Sequence, residues 1–151
     1  MRTRKALAGV IVGAVSIALI AAAPAGAAKT KLTATLSGAN EVPGPGDADG
    51  SGQADLTLTE KKGKKKGKVC FDITYSGIET AFAGHIHEGG PTTDGPIVVP
   101  LFVTATPSPA NDCVKAKRRL VKKIAKNPAD FYVNLHNEAL PGGAIRGQLE
   151  K

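Results

Sequence analysis

Apolar and polar residues alternate in short runs along most of the chain, and clusters of Gly, Pro, Asn and Asp separate the runs. Alternation with period two marks strands that bury one face, because successive side chains point to opposite sides of a sheet. Leu32, Ala34 and Leu36 alternate with Thr33, Thr35 and Ser37, and Ala54, Leu56 and Leu58 alternate with Asp55, Thr57 and Thr59. A Gly-, Pro- and Asp-rich loop, residues 38–52, lies between them. The next strand, 68–75, puts Val69, Phe71, Ile73 and Tyr75 on one face. Residues 80–87 put Phe82, Gly84 and Ile86 opposite Ala81, Ala83, His85 and His87.

The run 97–103 is almost wholly apolar and reads as a strand buried on both sides, although Pro100 within it argues for an edge or a bulge. From Cys113 to Lys126 the spacing of Val114, Leu120, Val121 and Ile124 predicts a helix, with Asn111 or Asp112 as its cap and Asn127-Pro128 as its stop. A strand over 131–136 carries Phe131, Val133 and Leu135 on one face and Tyr132, Asn134 and His136 on the other. Pro141-Gly142-Gly143 then turns the chain into a last strand, 144–149. About seven strands and one short crossover helix predict an all-β fold, a two-sheet antiparallel Greek-key sandwich.

The first 27 residues stand apart from this pattern. Arg2, Arg4 and Lys5 precede an uncharged apolar run, Ala6 to Ala23, which ends in Ala25-Gly26-Ala27. A basic start, an apolar core and small residues before the cleavage point are the parts of a secretory signal peptide, so cleavage is expected near Ala27, leaving one domain over 28–151. An uncleaved anchor is the alternative, but the run is short and weakly apolar for a span. The expected destination is extracellular, free of the membrane after cleavage. Cleavage also removes three basic residues from a net charge of +7, which weakens any nucleic-acid reading.

Cys70 and Cys113 are the only cysteines. In an exported chain an even pair is expected to be bonded, and their spacing fits neither a redox motif nor a zinc knuckle. His85, His87 and His136 are all the histidines of the chain. Residues two apart on a strand share a face, roughly 6.6 Å apart, so His85 and His87 can reach one ion. His136 completes the set if its strand is a neighbour. Three imidazoles suit copper, with zinc as the alternative; the competing reading is surface or hydrogen-bonded structural histidine.

Four segments together resemble the CHRD domain, first described in chordin: Ala83-Gly-His-Ile-His-Glu-Gly-Gly90, Pro96-Ile-Val-Val-Pro-Leu-Phe102, Asn127-Pro-Ala-Asp-Phe-Tyr-Val-Asn-Leu-His136 and Pro141-Gly-Gly-Ala-Ile-Arg-Gly-Gln-Leu149. The resemblance covers residues 32–149 and implies an extracellular β-sandwich of immunoglobulin-like character. In chordin such domains accompany modules that capture a growth factor. Those companions are lacking in this sequence, so that role does not carry over.

Gly84-His-Ile-His-Glu88 is also similar to the copper-binding strand of copper/zinc superoxide dismutases, and Leu135-His-Asn-Glu138 with Arg146 is similar to that family's later copper histidine and C-terminal arginine. No fourth histidine is present to bridge copper and zinc. The resemblance implies a copper site at His85, His87 and His136, with Glu88, Tyr132, Asn134 and Arg146 near it. Arg146 pairing with Glu138 or Asp130 is the structural alternative.

Asp47, Asp49 and Asp55 match part of a calcium loop, but Leu58 stands where a bidentate Glu belongs. The lysines of 61–68, a hairpin tip between the second and third strands, and those of the helix read as solvated charge or as an anion-binding surface. No nucleophile elbow, free-thiol dyad or phosphate loop is present. The leading expectation is a secreted, non-catalytic binding or structural module with an unidentified extracellular ligand and a three-histidine copper site. A copper-dependent oxidoreductase and a module adhering to anionic cell-wall polymer through the basic hairpin and helix are the alternatives.

Overall fold

The structure, a computed structural model, describes residues 27–151; the expected signal peptide, 1–27, lies almost entirely outside the described residues. Among the described residues eight strands form in chain order: β1 (Ala28–Ser37), β2 (Ser51–Glu60), β3 (Lys66–Ser76), β4 (Ala83–Glu88), β5 (Ile97–Phe102), β6 (Ala110–Lys117), β7 (Phe131–His136) and β8 (Ile145–Gln148). A helix, α1 (Arg118–Lys126), joins β6 to β7, and 3-10 turns occupy Gly38–Asn40 and Pro128–Asp130. Among the described residues no helix is long and apolar enough to cross a membrane.

All eight strands belong to one antiparallel sheet in the order β5-β4-β7-β8-β1-β2-β3-β6. The sheet curls until its two edges approach. Phe102 of β5 meets Phe71 of β3 across the interior, ring centroids 6.2 Å apart. The fold is therefore all-β as expected, and its halves join where β1 meets β8, through the Ser37–Arg146 pair and the Thr33–Glu150 bridge, into one nearly closed sheet. Alternation says which face is buried, and a two-sheet sandwich and one curled sheet bury the same face. Across the open seam, β7-β4-β5-β6 has the Greek-key order.

The alternating apolar residues form one core: Leu32, Ala34 and Leu36 from β1, Leu56 and Leu58 from β2, Val69, Phe71 and Ile73 from β3, Ile86 from β4, Val133 and Leu135 from β7. Burying each such side chain contributes on the order of 1.5–3 kcal/mol. Helix α1 adds Val121 and Ile124 to the same cluster.

Two local expectations are corrected. Residues 113–117 are the end of β6, with the helix starting only at Arg118 and carrying no side-chain cap. Val114 and Ala116 pack against the core while Cys113, Lys115 and Lys117 are exposed. That period-two pattern was masked by residues with good helix propensity, and pairing with β3 decided the outcome. The apolar run of β5 is an edge strand, with Ile97 half exposed at 52% and only Val99 and Leu101 buried. Pro100, which donates no ladder hydrogen bond, belongs at such an edge. The register between β4 and β5 also shifts at Gly84/His85 and Ile86/His87.

The disulfide joins Cys70 to Cys113, directly opposite each other on β3 and β6. It staples the second edge strand to the sheet.

Candidate metal centre

Ile86 is fully buried in the core, so its neighbours His85 and His87 project from the outer face of β4. On β7 the core residues Phe131, Val133 and Leu135 turn Tyr132, Asn134 and His136 to that same outer face. The two strands are adjacent, with Ala83 opposite His136, His85 opposite Asn134 and His87 opposite Tyr132. His136 therefore sits diagonally across from His85.

Loops roof this outer face. His87, Tyr132, Asn134, His136 and Arg146 are all buried, and His85 is half-buried. The Gly89–Pro96 segment is tied down by Arg146, which donates to the carbonyls of Thr93 at 3.0 Å and Gly90 at 3.1 Å, and by Gln148, which donates to Gly89 O at 2.7 Å. Tyr132 stacks on His87, with centroids 4.8 Å apart and planes within 14°, and carries the Arg146 guanidinium 3.5 Å from its own centroid. Those two neighbours cannot share one ring face at such distances, so Tyr132 is sandwiched between imidazole and guanidinium.

His85, His87 and His136 each offer a ring nitrogen, and the three atoms lie within 4.8 Å of one another. His85 Nδ1 and His136 Nε2 are 3.1 Å apart. Backbone carbonyls set the orientation of the other two rings. His87 Nδ1 donates to Gly95 O at 2.8 Å, and His136 Nδ1 donates to Pro141 O at 3.1 Å. With the Nδ1 protons so committed, the Nε2 atoms carry lone pairs into the cluster, the arrangement that metal-binding histidines use. His87 Nε2 is buried and has no hydrogen-bond partner among the described residues.

Burial holds all three imidazoles below their ordinary pKa. For His85 the value falls to about 4, through burial and then the charges of His136 and His87. Burial likewise lowers His87 and His136, only partly offset by the carbonyls of Gly95 and Pro141. The rings are therefore neutral near pH 7, the state in which imidazole ligates. Two ligands at about 2.0–2.1 Å from one ion are at most about 4.2 Å apart. The His85–His136 pair meets this, and closing the whole set requires ring movement of roughly half an ångström or so.

The remaining residues of the expected site divide. Tyr132, Asn134 and Arg146 do lie beside the cluster. Glu88 instead forms an ion pair with Lys123 of α1, and Arg146 bonds loop carbonyls rather than Glu138 or Asp130. Asp47 and Asp49 stay in the loop, where the Asp49 amide donates to Asp47 Oδ1 at 3.1 Å. Asp55 is exposed on β2, and the three are not brought together as a ligand group.

Glu41 is a buried acid beside the site that the sequence pattern does not reveal. It is buried from the Gly- and Pro-rich loop, accepts from Asn134 Nδ2 at 3.4 Å, and leaves its Oε1 unpartnered. Burial raises its pKa to about 7, against the opposing pull of Arg146. Nothing in its sequence neighbourhood marks it, since it alternates with no apolar partner. Gly95 and Pro141, whose carbonyls orient the histidines, were legible only as turn residues. A family model described as the CHRD domain matches residues 32–149. No curated protein matches the chain.

Proposed function

This chain belongs to the CHRD-domain family, and on that premise we propose that it works outside the cytoplasm as a non-catalytic binding module holding one copper ion at His85, His87 and His136. The observation that carries the reading is His87 Nε2, buried without a partner beside two other ring nitrogens that stand 3.1 Å apart. An unpaired buried polar atom costs about 1–3 kcal/mol, and a metal ion removes that cost. Neutral imidazoles without a carboxylate favour copper, with zinc next. The disulfide and the family both fit an extracellular setting.

In this reading the residues around the cluster orient and shield it. Gly95 and Pro141 hold two tautomers, Tyr132 packs flat on His87, and the roof of the Gly89–Pro96 segment limits access of water. Copper, when bound, supplies a Lewis acid and a one-electron centre.

A copper-dependent oxidoreductase is the second reading. Against it stands Arg146, which is only 2% exposed and directs its donors to the carbonyls of Thr93 and Gly90. It is not free to meet an incoming anion.

Calorimetry and copper electron paramagnetic resonance on the purified protein test the proposal. One Cu(II) per chain with nitrogen hyperfine structure is expected, lost in His87→Ala and His136→Ala. Absence of stoichiometric binding by the folded parent refutes it. Preference for Zn(II) in direct competition changes the metal but keeps the site. Superoxide consumption by the loaded protein well above that of free copper establishes the second reading.

A further inference from the structure

A second feature lies at the other end of the sheet. Lys66 faces Lys117 and Lys68 faces Lys115 directly across the β3–β6 ladder. All four are exposed. Their strand neighbours Val69 and Val114 turn toward the core, so the lysines of both pairs project from one outer face. Thr59, opposite Lys68, is in turn opposite Lys29 of β1, which carries the row across a further strand. Lys61 joins the others around a shallow depression of about 200 Å3 lined by Thr59, Lys61, Lys66, Gly67, Lys68 and Lys115.

Like charges directly opposite on a ladder destabilise it, by something on the order of 0.2–1 kcal/mol for each pair. No ion pair relieves them. The ion pairs among the described residues, Arg118 with Glu60 and Lys123 with Glu88, involve none of these lysines. The nearest carboxylates on the same face are Asp55 and Asp72, themselves opposite each other. They lie four residues along from the Thr59–Lys68 row, about 13 Å away. That exceeds the Debye length of about 8 Å at physiological ionic strength, so they barely lower the potential at the lysines.

The arrangement is also held in place. Cys70 and Cys113 lie two residues along from Lys68 and Lys115 on the same two strands, and their disulfide ties the edge strand β6 to β3 where the charges would push it off. Successive lysine rows are separated by two residues, about 6.8 Å. A linear polymer with an anionic group every 6–7 Å or so would place one group in each row.

We propose that this β3–β6 lysine face binds an extended, base-free phosphodiester polymer of the polyol-phosphate type, a component of a cell surface. Phosphate groups would lie between facing ammonium groups and turn the repulsion of each pair into shared attraction. A single-stranded nucleic acid would need aromatic platforms for its bases. None lines the depression: Phe71 is in the core, and Tyr132 is buried beside the histidines. The adhesive surface expected of the hairpin and helix thus moves to the strand pair between them.

Titration of the whole protein with poly(glycerol phosphate) tests this, with Lys68→Gln/Lys115→Gln compared against Lys122→Gln/Lys126→Gln, which removes equal charge from α1. The parent is expected to bind saturably. The strand variant should bind at least tenfold more weakly, and its slope of log K against log salt should fall by about two. The helix variant should change affinity less than twofold. Because the strand variant also relieves like-charge repulsion, its melting temperature should rise. Any of four results overturns the proposal: no saturable binding by the parent; equal losses in the two variants; a lowered melting temperature in the strand variant; or tighter binding of a single-stranded oligonucleotide of matched charge.

Discussion

His85 Nδ1 and His136 Nε2 stand 3.1 Å apart on adjacent strands, although 51 residues separate them in the chain. The Nδ1 proton of His136 is committed to Pro141 O. Its Nε2 therefore presents a lone pair, and two lone pairs at that distance repel. In the metal-free protein a proton on His85 Nδ1 must bridge them. Ligation through His85 Nδ1 would leave that proton on Nε2 of the same ring.

Nitrogen-15 correlation spectra should accordingly show His85 as the Nδ1–H tautomer before metal is added. On titration with Zn(II), chosen as diamagnetic, both ring nitrogens of the pair should move into the metal-ligated range, with His85 switching to the Nε2–H tautomer and no net proton release near pH 7, since the rings are already neutral. An Nε2–H tautomer for metal-free His85 would contradict the account.

Gly95 tests the orientation of His87 without touching a ligand. A Cβ there would lie 1.9 Å from Glu88 O, a backbone atom that cannot step aside. Gly95→Ala should displace the carbonyl that receives the His87 Nδ1 proton and weaken metal binding by about 10–100-fold, with the melting temperature of the metal-free protein lowered modestly. Unchanged affinity would show that this carbonyl does not hold the ring.

The pH dependence of metal-free stability has two opposing parts. The histidines are held below 6.5, His85 at about 4, so the unfolded chain takes up more protons between those values. Their contribution is lost as pH falls through that window. Glu41 is raised from 4.5 to about 7, so its contribution is present below pH 4.5 and is lost as pH rises to 7. Glu41→Gln should match the parent below pH 4.5 and become progressively more stable than it up to pH 7, by something on the order of 2 kcal/mol. Thermal melts across pH 4–8 read both parts, and a Gln variant whose profile overlays the parent's would rule out the role assigned to Glu41.

The Cys70→Ser/Cys113→Ser variant should lose about 3–4 kcal/mol of stability, the chain-entropy value for a loop of this length. With the staple gone, β6 meets the Lys66–Lys117 and Lys68–Lys115 repulsion unaided. Added salt screens that repulsion, so the melting temperature of the Ser/Ser variant should rise with salt more steeply than the parent's. Parallel salt curves would show that the disulfide and the lysine pairs are not coupled.

Alternation along the chain is enough to say which residues are inside. Leu32, Leu56, Phe71, Ile86 and Val133 are buried where alternation placed them, because period two is a property of the strand and needs no partner. The same logic put His85 and His87 on one face, and Asn127-Pro128 ended the helix as expected. What alternation could not convey is who pairs with whom. That β4 lies beside β7 decides that His136 joins the pair, and that β6 lies beside β3 decides both the disulfide geometry and the facing lysines. Pairing also overrode helix propensity at residues 113–117 and joined the two halves of the fold where β1 meets β8. Glu41, Gly95 and Pro141 act through burial and backbone carbonyls, which no side-chain pattern encodes; only the folded chain brings them to the histidines.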